Sequence, residues 1–167
     1  MKVTELVAAL ESLGLSNVRT YIQSGNAVFG TGQGGLSSLA RDITETLTER
    51  YGLEPTVVLL SKKALETAVK TNPFPEAEAA PKLSHLYSLE AVPKAPDLNR
   101  LEIMKAETER FELITDRFYL HAPEGVGRSK LAANVERGLG AVATARNWRT
   151  VLALLKLAEQ DDVVNDV

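Results

Sequence analysis

Residues 110–122 read RFELITDRFYLHA. Two runs rich in Phe, Tyr, Leu and Ile flank Thr115-Asp116, a spacing that predicts an antiparallel hairpin closed by a tight turn. Working outward from it, Lys82–Leu89 reads as a strand, and Asp97 caps a short helix through Met104. After the hairpin, Ser129 to Leu139 reads as a helix, and the short run AVATA (141–145) follows. The order is strand, helix, hairpin, helix, short strand, that is βαββαβ.

The first half repeats that order from its second element. Val3, Leu6, Val7, Leu10 and Leu13 recur at helical spacing, with Gly14 behind them as a C-cap. VRTYIQSGNAVFG (18–30) is a second hairpin around Ser24-Gly25. Leu39, Ile43 and Leu47 mark a helix from Leu36 to Tyr51, and PTVVLLS (55–61) is a continuously apolar run of the kind a buried strand shows. Ser61 then caps a helix reaching about Lys70, and Asn147 opens a last helix to about Glu159.

The expected fold is therefore α+β: two ferredoxin-like βαββαβ-type halves with mainly antiparallel sheets, the first lacking its first strand. The expected domains are 1–72 and 82–160, joined by a proline-containing linker at 73–81, with a frayed acidic tail at 161–167. The first strand of such a module is central, so the sheet of the first half is expected to be incomplete. An open strand edge invites pairing, which makes a homo-oligomer through that sheet an expectation.

Composition narrows the function classes. The chain has 167 residues, 44% hydrophobic and 25% charged, as globular proteins do. With no cysteine, disulfides, thiolate metal sites and cysteine nucleophiles are excluded. Its net charge of −3 means that any nucleic-acid contact needs a local basic patch, and no apolar run reaches bilayer length. The N-terminal stretch is an amphipathic helix carrying Glu5 and Glu11 and not a secretory leader, so a cytoplasmic protein without membrane contact is expected. Two histidines without close carboxylates give no metal-ligand spacing, and neither a metal nor a cofactor is expected.

LVAALESLGLSNVRTYIQSGNAVF (6–29) and GRSKLAANVERGLGAVATARNWRTVLALLKLA (127–158) resemble the two signature regions of the family called domain of unknown function 1697. The resemblance covers nearly the whole chain. It implies an uncharacterised bacterial protein of the two-module α+β fold, with a further strand and a loop rich in arginine, asparagine and glycine ahead of residue 1. It implies no activity.

Two constellations carry the chemistry. EGVGRSKL (124–131) is neither a Walker loop nor a dinucleotide fingerprint, because its glycines and lysine stand at the wrong spacing. Gly125, Gly127, Arg128, Ser129 and Lys130 nevertheless describe a glycine-rich turn with a serine cap and two cations, which suits an anion; an ordinary helix cap is the plain alternative. In ATARNWRT (143–150), Arg146 and Arg149 are three apart and would share a helix face, with Asn147 as N-cap and Trp148 between them. From Lys105 to Lys156 nine Lys/Arg oppose six Asp/Glu, so the second half is mildly basic.

These residues favour a non-catalytic module binding a phosphorylated small molecule or other anion. The alternatives are an RNA binder using Tyr21 or Trp148 as stacking surfaces, less favoured, and an enzyme of unassigned class; whether any reaction is catalysed stays open. Ser24 on its turn would need a base to act as a nucleophile, and neither His85 nor His121 shows a pattern with it. Gln23 and Asn26, with Tyr21, form a polar hairpin surface.

Overall fold

The computed structural model describes residues 1–22, 25–32 and 35–160. Gln23 and Ser24 of the first expected hairpin, and the acidic end 161–167, lie outside the described residues. Among the described residues the fold is α+β with antiparallel sheets, one of two strands and one of four. Two compact units share it: Met1–Glu66 together with the chain from Leu152, and Thr67–Val151.

In the first unit, α1 (Val3–Ser12) and α2 (Leu36–Tyr51) present apolar stripes to one core. Leu6, Ala9, Leu10, Leu15, Leu39, Ile43 and Leu47 fill it. Gly52, at φ 64°, ends α2 in the left-handed region that favours glycine, as the C-cap rule expects. Against this core lie Ala27 and Phe29 of a hairpin formed by β1 (Ser16–Thr20) and β2 (Ala27–Gly30). Val57 and Leu59 also pack on it, from the run expected to be a strand. That run is not a strand. Among the described residues no backbone hydrogen bond reaches Thr56 to Leu60, and a strand exists only as half of a ladder.

Next in the chain, α3 (Lys62–Lys70) starts on Ser61, whose Oγ accepts from the Ala64 amide at 3.1 Å. Residues 73–81, expected as a linker, hold the short helix α4 (Glu76–Ala79) and bury Phe74 and Ala77. An Asx turn explains the local order: Asn72 Oδ1 accepts from the Phe74 amide at 3.2 Å.

The second unit carries β3 (Ser84–Leu89), α5 (Leu98–Met104), β4 (Arg110–Ile114), β5 (Arg117–His121), α6 (Val135–Leu139) and β6 (Ala143–Asn147). The sheet order is β4-β5-β3-β6, every pair antiparallel. Opposed residues share a face. Tyr87 and Leu89, Phe118 and Leu120, and Phe111 and Leu113 turn to the helices, where they meet Leu101 of α5 and Val135 and Leu139 of α6. A Cβ on Gly138 would lie 2.5 Å from Leu101 Cδ2, so α5 and α6 approach through a bare backbone.

The expected helix from Ser129 to Leu139 is one 3-10 turn, Ala132–Asn134, followed by the five residues of α6, with another 3-10 turn, Val126–Arg128, just ahead of it. Local side-chain bonds compete with the α-helical ladder: Ser129 Oγ accepts from the Ala132 amide, and Asn134 Nδ2 donates to the Lys130 carbonyl, both at 2.9 Å. The last helix, α7 (Trp148–Glu159), starts on Asn147 as expected.

Candidate functional site

Register decides where the candidate residues meet. His121, last in β5, pairs with Ser84, first in β3, while Asn147, last in β6, pairs with His85. The turn after β5 and the first turn of α7 therefore leave the sheet of the second unit from one end. Neighbouring strands lie about 4.8 Å apart, so β5 and β6 are about 10 Å apart across β3. Gly125, at φ 83°, makes the turn that only glycine adopts without strain. Beyond it, Gly127, Arg128 and Lys130 are exposed and Ser129 is half-buried. Arg149 is exposed in the first turn of α7, and Lys82, just before β3, is exposed at the same end. Lys82 was not singled out in the sequence, since only the strand register brings it here.

The backbone at this end is largely occupied. Asn147 Oδ1 accepts from both the amide and the hydroxyl of Thr150 at 3.0 Å, and the Arg149 amide donates to the Pro81 carbonyl at 3.3 Å. Ser129 spends its oxygen on a 3-10 turn, and α6 has five residues, too few to develop a substantial dipole. An anion here would meet side-chain charge rather than a helix N-terminus.

Arg146 stands apart from this group. It lies in β6 and not on a helix with Arg149, so the two do not share a helix face. Its partner across β3 is Leu86, on the sheet face opposite the one that Asn147 shares with His85. Its Nη1 donates to the Ala145 carbonyl at 2.8 Å, and burial lowers its pKa from the ordinary arginine value. Trp148 is 3% exposed and tilts against Tyr119 at 6.5 Å, so it packs and offers no stacking surface.

That second sheet face is polar at its centre, a feature visible only as the alternation Ser84-Leu86-Ser88 and Arg117-Tyr119-His121. Tyr119, 1% exposed, donates to the Ala68 carbonyl at 2.9 Å and shares a hydrogen bond with the Thr71 hydroxyl at 3.0 Å. Ser84 Oγ lies 3.0 Å from His121 Nδ1. A serine on a histidine is the start of a nucleophile, but Ser84 is 2% exposed and no substrate reaches it. Nothing in the sequence links two residues 37 apart; the register alone joins them. Phe74 covers His121 at 6.1 Å, and Arg110 lies over the Phe74 ring while its guanidinium pairs with Glu76. A backbone amide and then Arg110 hold the Glu76 carboxyl below the usual carboxylate range. Among the described residues no group of three His, Asp or Glu could hold a metal, and no helix is long and apolar enough to cross a membrane.

Comparison with known proteins agrees with this picture of a fold without an assigned chemistry. No curated protein matches the chain. Among solved structures it is similar to the conserved bacterial protein SP0830 from Streptococcus pneumoniae, at a TM-score of 0.62 and 17% identity. That match covers 95% of this chain and 89% of the other, and at such identity it speaks for the fold alone. A family model described as protein of unknown function (DUF1697) matches residues 1–119, and the chain belongs to that family.

Proposed function

We propose that the second unit is a ferredoxin-like module that binds, without catalysis, a phosphorylated small molecule or another anion. The order β4-β5-β3-β6, with α5 joining β3 to β4 and α6 joining β5 to β6, supports the ferredoxin-like reading. One observation carries the binding reading: Lys82, Arg128, Lys130 and Arg149 are all exposed around the end of one sheet. Acids also lie at that end, Glu107 before β4 and Glu124 in the same turn as Arg128 and Lys130. Glu124 accepts from the Thr108 hydroxyl at 3.0 Å, which holds it toward β4. A cluster of exposed cations around a glycine turn suits a multiply charged phosphate. Gly125, Gly127, Ser129 and Asn147 shape the turn and the helix start that carry the cations, and Arg146, on the other sheet face, takes no part. Nucleic acid is the weaker reading, because Trp148 is buried and cannot stack on a base.

Thermal unfolding at low salt, with inorganic phosphate, a nucleotide panel and a short single-stranded RNA, tests this. A ligand at about 100 times its Kd stabilises by about 2.7 kcal/mol, a shift of several degrees, and the shift disappears in the Arg128→Ala, Lys130→Ala double variant. No shift with any anion, or an equal shift in the double variant, refutes the reading.

A further inference from the structure

The exposed cations at the end of the second unit's sheet are rooted in two groups. Arg128 and Lys130 follow β5, in the stretch that Gly125 opens, and the bond from the Thr108 hydroxyl to Glu124 ties the start of that stretch toward β4. Arg149 follows β6, and its amide donates to the Pro81 carbonyl, which places Lys82 beside the start of α7. The register keeps the roots of the two groups apart. β5 and β6 lie on opposite sides of β3, about 10 Å from each other. In about 0.15 M salt, exposed charges are screened beyond about 8 Å, so a phosphate held by one group gains little from the other. Neither group is a tight site alone. Glu124 offsets one of the two charges in the first, and exposed cations such as those of the second hold a single anion weakly. The two groups have the same make-up: one arginine, whose fork meets two oxygens of a phosphate, and one lysine as a point charge.

We infer that the ligand of this end carries two phosphates, set about 10 Å apart, Arg128 and Lys130 holding one and Lys82 and Arg149 the other. The inference rests on the reading of this end as an anion site, and it narrows the ligand from phosphorylated molecules in general to bisphosphorylated ones. Its physical basis is effective concentration. Once one phosphate is bound, a linker of matching length presents the second to its own group, and two weak contacts multiply into one strong one. A linker too short for the span engages one group only.

Calorimetric titration of the full chain in about 0.15 M salt compares inorganic phosphate, pyrophosphate and hexanediyl bisphosphate, whose phosphates stand about as far apart as β5 and β6. The bisphosphate is expected to bind at a single site per chain and at least about tenfold more tightly than pyrophosphate, although pyrophosphate is the denser charge. Arg128→Ala with Lys130→Ala, and separately Lys82→Ala with Arg149→Ala, should each bring it down to the affinity of inorganic phosphate. The unfolding temperature should stay unchanged in both, because all four side chains are exposed. Pyrophosphate binding as tightly as the bisphosphate overturns the inference and leaves the anion reading standing, with one compact site. A loss confined to one of the two double variants overturns it as well, because the other group would then be idle. If none of the three anions binds, the inference falls together with the anion reading.

Discussion

The two units use the same materials to different ends. Each lays apolar strand residues on two helices, yet among the described residues the second closes a four-stranded antiparallel sheet and the first a single hairpin beside an apolar run without a ladder. Hydrophobic periodicity is equally strong in both. What separates them is the ladder: β3 has a partner on either side, whereas Val57 to Leu60 has none among the described residues. A buried apolar run thus becomes a strand only when a second backbone is present, and apolar pattern by itself fixes which side is inside.

The largest expected effect tests whether the difference reaches the cores. Phe118 is fully buried, stacked on Phe111 at 5.2 Å and edge-on to Tyr87 at 5.6 Å. Phe118→Ala should cost about 3–5 kcal/mol. Phe29 is half-buried on a two-stranded hairpin, and Phe29→Ala should cost about half of that. Trp148, the single tryptophan, is buried in the second unit, so urea unfolding followed by its fluorescence reads that unit, and hydrogen exchange reads both. Equal losses would break the comparison.

Three further substitutions sharpen it inside the second unit. Gly138→Ala drives a methyl into Leu101, which is fully buried and has no space to yield, and should cost about 1–3 kcal/mol. Tyr119→Phe removes the hydroxyl that joins the polar sheet face to Ala68 and Thr71, for a loss of about 1–3 kcal/mol. Asn147→Ala removes the cap of α7 and should cost about 1 kcal/mol. If Asn147→Ala cost more than Gly138→Ala, close helix packing would not be what distinguishes this unit.

Much of this architecture was legible in the sequence, and the failures have a common cause. The bounds of α2 followed from Leu39, Ile43, Leu47 and Gly52, and the caps at Ser61, Asp97 and Asn147 from residue type, because all of these interactions are local. The hairpin at 110–121 was also local, although Thr115 sits at φ 55°, where a β-branched residue is unusual. Whatever depended on a distant backbone was not legible. Thr56 to Leu60 looked like a strand without showing what it lacked, and Arg146 looked helical because its strand partner Leu86 is 60 residues away. The candidate site divided along the same line: the turn at Gly125 was readable, but the register that brings Lys82 to it was not.

Acid gives the smallest and most selective contrast, since both histidines lie in the second unit. Burial lowers the pKa of His85 from its ordinary 6.5, and its Nδ1 is buried without a hydrogen-bond partner. The unfolded chain therefore binds a proton near that pH which the folded chain still refuses. Between the two values the unfolded state holds more protons, and stability rises with pH. The contribution of His85 is thus complete above 6.5 and is lost as the pH falls through the folded value. Glu76, held below its ordinary 4.5, adds a second loss of the same sign that begins only in stronger acid. The two windows separate the groups. From about pH 8 to about pH 5.5 the urea midpoint read by Trp148 should fall, while exchange protection in α1 and α2 stays level. His85→Gln should remove that first decline and leave the one in stronger acid. A decline that survives the substitution would move the titration elsewhere in the second unit. A parallel loss of protection in α1 and α2 would mean that the two units do not respond to acid separately.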